Sequence, residues 1–272
     1  MPKNSPDLEK NRALVIERVF KKVYQPSQAE LPFTLADIKE AIAAVSSANP
    51  EYIEENKYDV RYAFVSGRQE LPASVDSLGP WMIGSRGKGK YAFVKLQSPT
   101  KVQIPTDLAT IYLPDATPEI VLEYAGSDEQ GILAKVHYNR LLDIYLQLTC
   151  YHLQNHWRTF VKGKGQHEID DLYAGLNTTG KQYVIPIEAK CCGDHLNKTQ
   201  VVQMIDFAHA RYPKLIMRPV GIQELADGSM VFLEFTTGKH PDEIKIKEPR
   251  RYKLVPMRDV PLDAQQRDPV TS

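Results

Sequence analysis

The chain has 272 residues, 25% charged and 42% hydrophobic, with 34 basic side chains set against 34 acidic ones. This is a globular profile, and the length allows two units with cores of their own. No run approaches the roughly 18 consecutive apolar residues of a membrane helix, and a net charge of zero gives no bulk attraction towards nucleic acid. The first twenty residues, MPKNSPDLEKNRALVIERVF, lack the apolar stretch of a signal peptide. Three cysteines (Cys150, Cys191 and Cys192) cannot make an even disulfide framework, so the expected setting is reducing and cytoplasmic.

Residues 9–24 place Leu14, Val15, Val19 and Phe20 at helical spacing. Thr34 is a candidate N-cap for a second helix, whose apolar face is Leu35, Ile38, Ala41, Ile42 and Val45. Asn49-Pro50 breaks it, and a third helix is expected between Glu51 and Val65. Two strands follow, Trp81–Ile83 and Tyr91–Leu96, joined by a turn carrying Gly84, Gly87 and Gly89 together with Arg86, Lys88 and Lys90. Helices followed by a basic-tipped hairpin resemble a winged-helix DNA-binding domain. On that resemblance residues 1–98 form the domain, and the three cations grip a phosphate backbone.

Residues 99–128 are punctuated by Pro99, Pro105, Pro114 and Pro118 and read as a linker with one or two short strands. From Glu129 to Trp157 the recurrence of Ile132, Leu133, Val136, Leu141, Tyr145, Leu148 and His152 predicts one long helix. His152 and His156 would lie four apart on it, and a zinc site could be drawn from them with His195. The adjacent pair Cys191-Cys192 lacks the spacing such a site wants. Two strands are expected at Gln166–Gly175 and Gln182–Lys190, turning at Asn177–Gly180. A helix over 198–210 and strands at Ile216–Gln223 and Met230–Thr236 complete an α/β sandwich over 129–255, and the polar tail 256–272 is expected to be mobile.

The segment EIDDLYAGLNTTGKQYVIPIEAK, Glu168 to Lys190, carries the chemistry. A hairpin of this length brings Asp170 beside the end of the next strand, where alternation puts Glu188 and Lys190 on one face and Ile187 and Ala189 on the other. Ionisable groups at the edge of an apolar sheet are costly unless paired or metal-bound. Phosphodiester hydrolysis supplies a reason, because it needs a divalent cation, hard oxygen ligands and a positive group near the phosphate.

An acidic residue, a hairpin and then (D/E)-x-K at the end of an apolar strand resemble the PD-(D/E)XK nuclease superfamily, with its restriction-endonuclease-like fold. The resemblance covers roughly Glu129 to Thr236. It implies an Mg²⁺-dependent endonuclease on double-stranded DNA, with Mn²⁺ as a substitute, of restriction type and working as a homodimer. Asp170 and Glu188, with the backbone carbonyl of Ala189, would be the metal ligands, and Lys190 would orient or deprotonate the water or stabilise negative charge. A glutamine from the following helix, Gln203 or else Gln200, would face the site. Glu168 shares the Asp170 face and is a further metal candidate, while Asp171 points the other way. Arg158, Lys162 and Lys164 form a basic cluster that could contact the DNA backbone. Two departures stand out: Ile169 occupies the motif's proline position, and Pro186 inside the second strand implies a bulge or a late start. A non-catalytic DNA-binding regulator and a structure-specific repair or junction nuclease are the alternative readings.

Overall fold

The computed structural model of the protein describes residues 6–49, 51–52, 56–126, 128–161 and 165–261. Its N-terminal part runs α1 (Pro6–Val23), β1 (Glu30–Thr34), α2 (Leu35–Ala48), α3 (Lys57–Val65), a single turn α4 (Ala73–Asp76), β2 (Trp81–Ser85) and β3 (Lys90–Lys95). The three strands form an antiparallel sheet in the order β1-β3-β2. Thr34 acts twice, closing β1 and capping α2. Its backbone N–H donates to Asp37 Oδ2 at 2.8 Å while its Oγ1 accepts from the Asp37 N–H at 3.4 Å, a reciprocal capping box. The helices cover the sheet through one core that includes Phe20, Leu31, Ile38, Val60, Phe64, Trp81 and Phe93. At the hairpin tip Gly87 (φ 108°) and Gly89 (φ 72°) supply left-handed backbone, letting Arg86 N–H donate to Lys90 O at 2.8 Å.

The segment after β3 is pinned rather than a free linker. The N–H groups of Gln97 and Ser98 donate to the Asp242 carboxylate, and Thr100 O and Leu196 O accept from Lys198 N and Val102 N. It also contains β4 (Thr110–Pro114) and α5 (Glu119–Tyr124). Next come α6 (Glu129–Tyr138), α7 (Leu141–Leu146), β5 (Thr149–Val161), β6 (Gly165–Leu176), β7 (Gln182–Lys190), α8 (Lys198–Arg211), β8 (Ile216–Met217), β9 (Val220–Glu224), β10 (Met230–Phe235) and β11 (Ile246–Val255).

The long helix expected over 129–157 is therefore two short helices and a strand. Arg140 (φ 51°) and Gln147 (φ 55°) adopt left-handed backbone at the two breaks, and no glycine or proline marks them. His152 and His156 consequently lie on β5, not on a helix face. The single strand expected at Ile216–Gln223 is split into β8 and β9 around Arg218-Pro219.

Among the described residues eight strands form one mixed sheet in the order β4-β11-β10-β9-β7-β6-β5, with β8 also pairing β7. β7 lies inside it, antiparallel to β6 and parallel to β9. Pro186 causes no bulge here, because the β6–β7 register runs unbroken from Asp171↔Ile187 to Leu176↔Gln182. Its missing N–H falls at the seam between the two parallel partners, β8 against Tyr183–Val184 and β9 against Ile187–Lys190.

The two faces of the sheet carry separate cores. One packs Ile185, Ile187 and Ala189 of β7 against α6 and α7; the other packs Val184 against α8 residues Val201, Met204 and Ile205. Among the described residues no helix is long and apolar enough to cross a membrane.

Gly221 is paired with Glu188 across β9, and a Cβ there would sit 2.7 Å from Phe235 and 2.9 Å from Leu196. Gly221→Ala is expected to destabilise the protein by about 1–3 kcal/mol through overpacking, read as a lower urea midpoint. An unchanged midpoint would mean that this contact between β9 and the α8 face is slack.

Candidate functional site

The β6–β7 hairpin is set by its turn. Asn177 Oδ1 accepts from the N–H groups of Thr179 (3.0 Å) and Lys181 (2.8 Å), and Gly180 takes φ 80°. This register brings Asp170 to the charged end of β7, where its Oδ2 accepts from the Ala189 N–H at 2.9 Å. On the same strand end Lys190 Nζ donates to Glu188 Oε1 at 2.8 Å and to Ala189 O at 3.2 Å. Glu188 is only 3% exposed. Asp170, Glu188 and Lys190 thus come together as the sequence pattern requires, on the face of β7 that α8 covers.

The electrostatics follow from that burial. The Glu188 carboxyl is pushed up to about 7, by desolvation first and by the nearby Asp170 second, against the pull of Lys190 and Arg68. Burial likewise raises Asp170, opposed by Lys190 and by the Ala189 N–H. For Lys190 burial works against the charged form, but Glu188 and Asp170 outweigh it and hold the ammonium above the ordinary lysine value. The group is therefore a fixed cation, poorly suited to accept a proton.

The glutamine contributed by α8 is Gln200, whose Nε2 donates to Glu188 Oε1. Gln203, the expected choice, turns instead to the N-terminal part and donates to Val65 O at 2.8 Å. The two are one helical turn apart, so residue spacing alone does not separate them. Glu168 is engaged elsewhere. Its two oxygens are held by Arg68 and by Arg158, whose Nε lies 3.0 Å from Oε1. Asp171 faces the opposite side of the sheet, where His152 Nε2 sits 2.7 Å from its Oδ1.

Arg158, expected to touch DNA, is thus an ion-pair partner of Glu168, and Arg86 pairs with Glu30 at 2.7 Å. Lys88 and Lys90 are exposed at the hairpin tip. Lys162 and Lys164 lie outside the described residues.

Two residues escaped sequence reasoning. Glu129, the first residue of α6, bears electrostatically on both Asp170 and Lys190. Its carboxylate, Cys191 Sγ and the Asp194 carboxylate lie within 4.8 Å of one another. Arg68, just beyond α3, reaches Glu168 across 100 residues of chain. Neither has a local motif that would have marked it.

The donor set suits a hard divalent cation. Asp170, Glu188 and the Ala189 carbonyl are the oxygen donors that could hold one; here Lys190 Nζ donates to both Glu188 Oε1 and Ala189 O, and Asp170 raises the cost of ionising Glu188, a cost that a cation would remove. No family model matches the chain, and neither does any curated protein or solved structure.

The Glu188 shift has a direct consequence. The folded carboxyl keeps its proton up to about 7, whereas the unfolded one releases it in the ordinary glutamate range. Between those values the folded state binds more protons, so stability in EDTA falls as pH rises. Urea titrations across that window should show the fall in the native chain and a shallower one in Glu188→Gln. Identical slopes would assign the effect to another group.

Proposed function

We propose that the protein is a metal-dependent endonuclease that hydrolyses phosphodiester bonds of double-stranded DNA, as a restriction-type enzyme of the PD-(D/E)XK kind. The observation that carries the reading is the convergence of Asp170, Glu188 and Lys190 on the buried end of β7, with Gln200 closing over them. Order of elements supports it too: the acidic residue, the hairpin, the apolar strand ending in Glu188-Ala189-Lys190 and the helix behind it follow one another as in that superfamily.

Asp170, Glu188 and the Ala189 carbonyl would hold Mg²⁺, or Mn²⁺ in its place. The ion would neutralise the phosphate and lower the pKa of a bound water. In the hydrolysis the water oxygen would bond to phosphorus, giving up a proton to solvent, as the bond to the leaving deoxyribose oxygen breaks and that oxygen takes up a proton from solvent. The protein's own groups prepare this. The Ala189 N–H fixes the Asp170 carboxylate, Gln200 and Lys190 fix Glu188, and the ammonium of Lys190 stabilises the negative charge that grows on the phosphate. Because its charge is held by two acids, Lys190 acts as an electrostatic group and leaves proton removal to others.

The N-terminal part fits a winged-helix-like DNA-binding unit. Its order of α1, β1, α2, α3, the single turn α4, β2 and β3, and the exposed Lys88 and Lys90 at the hairpin tip, support this reading. Two copies, each cutting one strand, would complete a double-strand break.

Plasmid cleavage with Mg²⁺ tests the proposal. Lys190→Ala is expected to slow cleavage about 10²- to 10³-fold, the usual loss for one transition-state charge partner, while the wild type cuts. Equal rates would remove Lys190 from the mechanism. Absence of cutting by the wild type with either Mg²⁺ or Mn²⁺ would remove the enzymatic reading.

A further inference from the structure

The loop after α3 is built to hold a cation against the large sheet. Ser66 Oγ donates back to Tyr62 O at 2.6 Å, and Gln69 N–H returns to Ala63 O at 3.0 Å. Gly67 takes φ 71°, with the space for a Cβ only 3.1 Å from Thr199 Cβ and 3.3 Å from Asn197 Oδ1. That close approach brings the loop onto the first turn of α8, and Gln203 fastens it by donating to Val65 O at 2.8 Å. Arg68 is the residue this geometry delivers. Its Nη2 donates to Glu168, and its guanidinium carbon lies 5.2 Å from the centre of the Tyr62 ring.

Glu168 is two residues before Asp170 and already has a second arginine, Arg158 Nε at 3.0 Å from Oε1. One carboxylate therefore faces two guanidinium groups, an excess of positive charge beside a pair of acids. The Arg68 side chain remains 37% exposed, and a guanidinium has five N–H groups in a fixed fork, of which the bond to Glu168 uses the Nη2 end. The field of Arg68 reaches Glu188 itself. A positive fork with donors to spare beside these carboxylates suits an anionic phosphate oxygen.

We propose, on the nuclease reading of the site, that Arg68 is a substrate-phosphate contact which the helical unit contributes to the catalytic centre of the sheet unit. It binds a DNA phosphate beside Asp170 and Glu188, with Glu168 and the Tyr62 ring holding the guanidinium ready. Cleavage is thereby tied to correct seating of the helical unit, since a loop displaced from α8 takes the contact with it.

Salt dependence of duplex binding separates this role from a structural tie. Binding of a random-sequence duplex is measured at several salt concentrations with Ca²⁺ in place of Mg²⁺, for the wild type, Arg68→Ala and Glu168→Gln, all checked for native melting curves. Loss of one phosphate contact is expected to weaken binding about tenfold and to lower the slope of log K against log salt by about 0.9. Glu168→Gln, which removes the acid that holds the guanidinium ready, is expected to bind more weakly than the wild type but to keep its slope, because the phosphate contact and its positive charge remain. An unchanged slope in Arg68→Ala, or an equal loss of slope in both variants, would reduce the pair to a structural tie. A wild type that binds duplex but never cuts it with Mg²⁺ would fail the nuclease reading alone, since the slope still decides whether Arg68 touches phosphate. A wild type that does not bind duplex would overturn both.

Discussion

Two carboxylates and one ammonium group share the buried end of β7, and the cost of keeping them there shapes what surrounds them. A buried acid paired with a buried lysine is expensive to desolvate and returns that cost only when its remaining donors and acceptors are met. The protein meets them from three directions. β6 supplies Asp170, whose own oxygen is tied to the Ala189 N–H, α8 supplies Gln200, and β7 itself supplies the Lys190–Glu188 pair. The pairing still leaves Glu188 reluctant to ionise. On the proposed reading, a bound cation would remove that reluctance.

α8 joins this centre to the rest of the chain. Gln200 reaches down to Glu188, and one turn later Gln203 reaches out to Val65 on the helical unit. The same helix is fixed at its start by the Asn197 cap, by Thr100 O and by the packing of Gly67. Gln203 and Arg68 thus link the N-terminal part to the helix that carries Gln200 and to Glu168. The coupling lies in hydrogen bonds and packing between neighbours, over short distances.

Much of this was legible in the sequence where periodicity and turn chemistry agree. The hairpin around Asn177–Gly180 and the alternation through Glu188-Ala189-Lys190 fix which side chains share a face, so the three charged residues could be named in advance. Phase information was harder to read. Gln200 and Gln203 lie on one helix face, and only the height of α8 over β7 decides which meets Glu188. The misread helix over 129–157 has a physical cause as well: its apolar spacing persists through α6 and α7, while the breaks at Arg140 and Gln147 are left-handed without glycine. β5 gave little warning because it is an edge strand with exposed residues on both faces, so apolar alternation is absent. β11 hides behind Pro249 and the basic run Arg250, Arg251 and Lys253. Arg68 belongs to a contact between remote parts of the chain, and spacing rules carry no information about it.

The most direct test of the central claim is to locate the metal. Crystals grown with Mn²⁺ should give an anomalous peak bridging the carboxylates of Asp170 and Glu188, at about 2.0–2.3 Å from their oxygens as hard-cation coordination requires, and Glu188→Gln crystals should lose it. A saturated crystal with no peak there, or with its peak at Glu129, Cys191 and Asp194 instead, would contradict the account.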